Sequence, residues 1–132
     1  MMRTTLAAGL LTALLWLPAA GAAAVTEDQF QIHTTGDLAA LCAADPGERL
    51  GTPALNFCEG YATGAYQVLE QEQAAPRSTK LFCMPQPAPT RTEAMAAFVQ
   101  WARADQAHQA LPPADGVTQF LSQTYPCHAQ KR

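Results

Sequence analysis

Four cysteines, Cys42, Cys58, Cys83 and Cys127, constrain this chain more than any other feature. They are spread singly, so the closely spaced pairs that a zinc site needs are absent. The C-x-x-C-H of a covalent haem is absent too. An even count of dispersed cysteines in a small exported chain forms a disulfide framework. Three pairings are open to four cysteines, and which one forms depends on where the chain places them.

Export is written in the first 24 residues. Arg3 gives a basic start, Leu6 to Leu17 is almost wholly apolar, and Pro18 to Ala24 supplies small residues. That is the three-part pattern of a secretory signal peptide, with A-x-A cleavage sites at Ala20-Gly21-Ala22 and Ala22-Ala23-Ala24. Cleavage is expected after Ala24. The apolar run is shorter than the roughly 20 residues of a membrane span, and no cysteine stands at the cleavage point to take a lipid. Residues 1–24 are therefore expected to be a signal peptide, and 25–132 a single exported domain. The formal net charge is −3, and losing Arg3 makes it more negative. Nucleic-acid binding needs a basic patch, and none is present.

The mature segment reads as helices. Val25 to Thr34 is short and mixed, with Phe30 and Ile32 alternating as in a brief extended arm. Thr35 is placed to cap a first helix, with Leu38, Leu41 and Cys42 at helical spacing and Ala44-Asp45-Pro46-Gly47 as its stop. Thr52 and Pro53 are expected to cap and open a second helix. Its inner stripe runs through Phe57, Tyr61, Gly64, Ala65 and Val68, widened on one side by Cys58, Ala62 and Leu69, with Glu59, Thr63, Gln67 and Glu70 on the polar face opposite. The helix ends near Gln73. Cys83 to Pro89 is too rich in proline for a helix. Thr90-Arg91-Thr92-Glu93 is a capping box for a third helix, whose inner stripe is Ala94, Phe98, Trp101 and Ala102. Asp105 to Leu111 either continues this helix or leaves it. Pro112-Pro113 opens the last element, where Val117, Phe120, Leu121 and Thr124 recur with helical period. Pro126 stops it, and the tail after Cys127 is expected to fray. No strand pattern and no repeat is present.

The expected fold is therefore all-α: a small disulfide-stapled bundle of four helices. In such a bundle Cys42 and Cys58 face each other across a short turn. Cys83, before the third helix, and Cys127, after the fourth, meet if those helices are antiparallel. The expected bonds are Cys42–Cys58 and Cys83–Cys127.

Candidate chemistry is sparse. His33, His108 and His128 are far apart and form no H-x-x-x-H pair. No G-x-S-x-G and no phosphate loop occurs. Cys127-His128 is a tail pair with a bonded sulfur, and Glu70 and Glu72 belong to a solvated face. The reading is of a chain that is not an enzyme, with no catalytic residue, metal or cofactor. Gly60, Tyr61 and Gly64 form a small-residue motif, expected to let the first or last helix approach the backbone closely.

Four blocks, Leu38 to Leu41-Cys42, Cys58-Glu59-Gly60-Tyr61-Ala62-Thr63-Gly64, Phe82-Cys83-Met84-Pro85 and Tyr125-Pro126-Cys127, occur in order across the mature chain. Together they resemble the Rap/Tai immunity family: small, exported, all-helical proteins that protect bacteria from peptidoglycan amidase effectors delivered by type VI secretion. The resemblance implies a periplasmic binding protein that neutralises an amidase toxin by blocking its cleft, without cofactor or catalysis, and with a homodimer as its state. The family often closes the third helix with proline, where this chain has Asp105-Gln106. That connector, through Asp105, Gln106, His108 and Gln109, is the expected contact with the effector. The competing reading is a small periplasmic acid-stress or envelope chaperone on the same kind of scaffold, exposing apolar surface at low pH.

Overall fold

A computed structural model describes residues 23–128. The expected signal peptide, apart from Ala23 and Ala24, and the expected frayed end beyond His128 lie outside the described residues.

The architecture is organised around its shortest core helix. α1 (Thr35–Cys42) packs against α2 (Gly51–Ala74), α3 (Arg91–Ala104), α4 (Gln106–Ala110) and α5 (Pro113–Thr124). Leu38 and Leu41 are fully buried at its centre. The chain is all-helical among the described residues, and its two disulfides staple the helices together.

α1 begins one residue earlier in function than expected. The cap is Thr34, whose hydroxyl accepts from the Asp37 N–H at 3.2 Å while the Asp37 carboxylate accepts from the Thr34 N–H at 3.0 Å. Thr35 is fully buried instead. Its hydroxyl donates to the carbonyls of Leu111 and Pro112 at 3.0 and 3.2 Å, and its N–H donates to the Leu111 carbonyl at 2.8 Å. These bonds join the start of α1 to the turn before α5. Burial without them would cost the desolvation of a hydroxyl, so Thr35 is a structural linker.

The arm before α1 is a 3₁₀ turn, Asp28–Gln31, rather than an extended segment. Ile32 ends it in the left-handed region at φ 42°. The turn carries Phe30 onto Phe57 of α2, ring edge to ring face, with centroids 5.7 Å apart.

α2 starts at Gly51, ahead of the expected Thr52 cap, and Leu50 precedes it without a side-chain cap. The reason is tertiary. A Cβ on Gly51 would lie 1.7 Å from the carbonyl oxygen of Asp45, so only glycine fits where the turn folds back. Pro53 remains in the first turn, where no N–H has an intrahelical partner to lose.

α3 carries the capping box: the Glu93 N–H donates to the Thr90 hydroxyl at 3.3 Å, and the Thr90 N–H to the Glu93 carboxylate at 2.8 Å. The connector then forms a helix of its own, making five helices among the described residues where four are expected. Asp105 is extended (φ −141°, ψ 129°), which breaks α3, and its carboxylate accepts from the Ala107 N–H at 2.8 Å, which starts α4.

Cys42 is bonded to Cys58 with Cα atoms 5.1 Å apart, and Cys83 to Cys127 at 4.8 Å. The first ties α1 to α2. The second ties the proline-rich segment before α3 to the chain after α5, where the Cys83 N–H also donates to the Tyr125 carbonyl at 2.8 Å. Phe82, beside this staple, is among the largest buried side chains of the core.

Candidate binding groove

α2 is much longer than its partners, and its second half lies at the edge of the core. From Gly60 to Ala74 it contains no buried residue, whereas Gly51, Ala54 and Cys58 are buried. Its inward stripe runs through Ala54, Cys58, Tyr61, Ala65 and Leu69. Val68, expected inside, is 58% exposed. Cys58, Tyr61, Ala65 and Leu69 lie inward as expected, and the helix is rotated toward the Cys58–Leu69 flank of the stripe, which puts Val68 and Gly64 outside.

That rotation turns Glu59, Thr63, Gln67 and Glu70 toward α3. With Ala62 and Tyr66 they form one wall of a cleft of about 380 Å³. Met84, Pro89, Ala94 and Met95 form the other wall. Core side chains, Phe98, Phe120 and Leu121, reach its floor beside Tyr125. The Arg91 guanidinium donates to the Glu59 carboxylate, linking the two walls.

Partial burial raises the pKa of Tyr66, with the hydrogen bond to Glu70 and its charge adding to the effect. The Tyr66 hydroxyl donates to the Glu70 carboxylate at 2.8 Å. Tyr125 is raised by burial and then by the Glu93 charge, and Tyr61 by burial. The Thr90 N–H and hydroxyl hold the Glu93 carboxyl below its ordinary range. The groove is thus apolar at its base, with neutral phenols at its sides and carboxylates at its edge.

None of the four connector residues lines this groove. Asp105 caps α4. His108 stacks flat on Trp101, centroids 3.9 Å apart and planes 11° apart. Its Nδ1 lies 2.9 Å from the Trp101 carbonyl, which can only accept, so the proton sits on Nδ1. Trp101 in turn donates to Gln123 at 2.8 Å. Gln106 and Gln109 are exposed, and Gln109 borders a second hollow with Thr34, Asp37 and Arg103.

The Gly60–Gly64 motif is corrected by the geometry. A Cβ at either glycine meets nothing within 4 Å. Neither lines the groove, and among the described residues no helix comes within that distance of them. Tyr61 between them is half-buried against the core. The close approaches occur at Gly51 and at Gly116, where a Cβ would lie 2.0 Å from the Thr35 hydroxyl. Among the described residues no group of three or more His, Cys, Asp or Glu side chains is placed to hold a metal ion.

The sequence profile of the Rap1a immunity proteins matches residues 34–127. The chain belongs to the Rap1a immunity protein family. No curated protein and no solved structure gives a match. The matched span opens at Thr34, the cap of α1, and closes at Cys127, so it contains both disulfides, all five helices and the groove. A Rap1a protein acts in immunity, which implies an effector protein as its partner. Two disulfides in a Rap1a protein are consistent with export.

Proposed function

We propose that this Rap1a-family protein acts in the periplasm, after removal of residues 1–24, and inhibits a peptidoglycan amidase effector delivered by type VI secretion by covering its active-site cleft. The observation that carries the reading is the family match across the whole disulfide-stapled domain. The signal-peptide pattern and the resemblance of the four sequence blocks support the compartment and the target class. Inhibition of this kind needs a rigid body with an exposed complementary surface and no chemistry of its own. In the connector, Asp105, Gln106, His108 and Gln109 are the proposed contacts, of which Asp105 and His108 also hold the shape of α4. The homodimer implied by the resemblance belongs to the same proposal and is read by light scattering.

The test is protection. An amidase effector encoded beside this gene, exported to the periplasm, should lyse cells. Co-production of the full chain should restore growth, and co-production of residues 25–132 without a leader should not. Persistent lysis with the full chain, or unchanged peptidoglycan hydrolysis in vitro at equimolar inhibitor, would contradict the proposal.

A further inference from the structure

We propose that the groove between α2 and α3 is a second docking surface for the effector, in addition to the connector, and that its occupant is a segment presenting two or three apolar side chains flanked by lysine or arginine. This rests on the immunity reading above and adds the surface and the chemistry it recognises.

Shape sets the size of the occupant. Glu59 and Glu70 stand three turns apart on α2, about 16 Å along the helix axis. A cleft of about 380 Å³ takes a few side chains, not a domain. The floor is apolar, built by Phe98, Phe120 and Leu121. Met84 and Met95 both line this cleft. Of the four methionines in the sequence, these are the two among the described residues, and both line the groove. Methionine is unbranched and polarisable, so it adapts to the side chain laid against it, which suits a surface that receives a partner.

Charge sets the sign of the occupant. Arg91 is tied to Glu59. That leaves Glu70, on the α2 rim, as the groove carboxylate with no cationic partner among the described residues. An apolar floor with an acidic rim attracts an apolar segment with basic flanks and repels an acidic one. A second copy of this chain, with a net charge of −3, brings like charge to the rim.

Methionine methyl NMR reads the groove directly. The exported protein is labelled with ¹³C-methyl methionine and titrated with the amidase effector encoded beside its gene, while calorimetry records binding. A synthetic leucine–lysine amphipathic peptide and its leucine–glutamate counterpart serve as defined probes. The effector and the lysine peptide should shift both the Met84 and Met95 methyls, and the glutamate peptide should not. Ala94→Trp, which fills the groove, should weaken effector binding by at least about tenfold. Glu70→Lys should weaken it less and reduce its salt dependence.

Effector binding that leaves both methyls unmoved overturns the groove assignment and leaves the immunity reading standing. Absence of effector binding sinks both. Preference for the glutamate peptide overturns the charge argument and the proposal with it. Methyl shifts that follow dilution of the protein alone would assign the groove to a second copy, and an apolar small molecule co-purifying in it would assign it to that ligand. If Ala94→Trp does not fold, the wild-type methyl spectra still decide.

Discussion

The two halves of α2 lead different lives. Its first turns are held from every side: Gly51 is wedged under the Asp45 carbonyl, Ala54 is fully buried, and Cys58 is bonded to α1. Beyond Gly60 the same helix carries no buried residue, Val68 stands in solvent, and two glycines face open space. One half is scaffold and the other is surface. The second half still runs for more than three turns. It is sustained by its anchored end, since propagation adds one hydrogen bond per residue once a turn exists, and by Tyr61, Ala65, Tyr66 and Leu69, which pack against the core from one side. The difference teaches that the same residue type has opposite roles along one element: glycine is required at Gly51 and dispensable at Gly60 and Gly64.

This contrast can be broken by substitution. The largest effect is expected from Cys42→Ser/Cys58→Ser, which opens a loop of 16 residues. The chain-entropy model assigns that closure about 3 kcal/mol. Urea unfolding should show a loss of this order, and wild-type stability would mean that α2 is anchored by packing alone. Next comes Gly51→Ala. Its Cβ collides with backbone, which cannot rotate away, so a loss of about 1–3 kcal/mol is expected. Smaller and of opposite sign is Gly60→Ala/Gly64→Ala. With nothing near either site, each alanine should stabilise the helix by roughly 0.5–1 kcal/mol. A loss there would show that a neighbour does approach this face.

The smallest effect concerns the cap of α3. The Glu93 carboxyl is held below its ordinary 4.5 by bonds from Thr90. A depressed folded pKa gives stability that is present above the unfolded value and lost as pH falls through the folded one. Glu93→Gln should therefore flatten the acid limb of the stability profile of α3, measured as the change in urea midpoint between neutral and acid pH. An unchanged limb would mean that the cap contributes through its neutral hydrogen bonds.

Local signals in the sequence carried far. The α3 cap is legible because Thr90 and Glu93 satisfy each other within one turn. The helical class follows from the periodicity of Leu38, Leu41, Phe98, Phe120 and Leu121, all of which are buried. What was not legible depends on distant chain. Gly51 looks ordinary until the Asp45 carbonyl is folded against it. Thr35 looks like a cap because threonine caps helices, yet its partners, Leu111 and Pro112, come from the far end of the chain. Phe82 lies in an aperiodic, proline-rich segment, so no pattern marks it as core. The groove was hidden because Glu59, Thr63, Gln67 and Glu70 form a polar face. A polar face looks solvated whether or not an apolar floor lies behind it.

The most direct test of this division between scaffold and surface is a comparison of effector affinities. Calorimetry with the amidase effector should give a dissociation constant at least about tenfold weaker for Ala94→Trp, and unchanged for Gly60→Ala/Gly64→Ala. Equal binding by Ala94→Trp together with weakened binding by the alanine pair would place the effector on the glycine face and contradict the account.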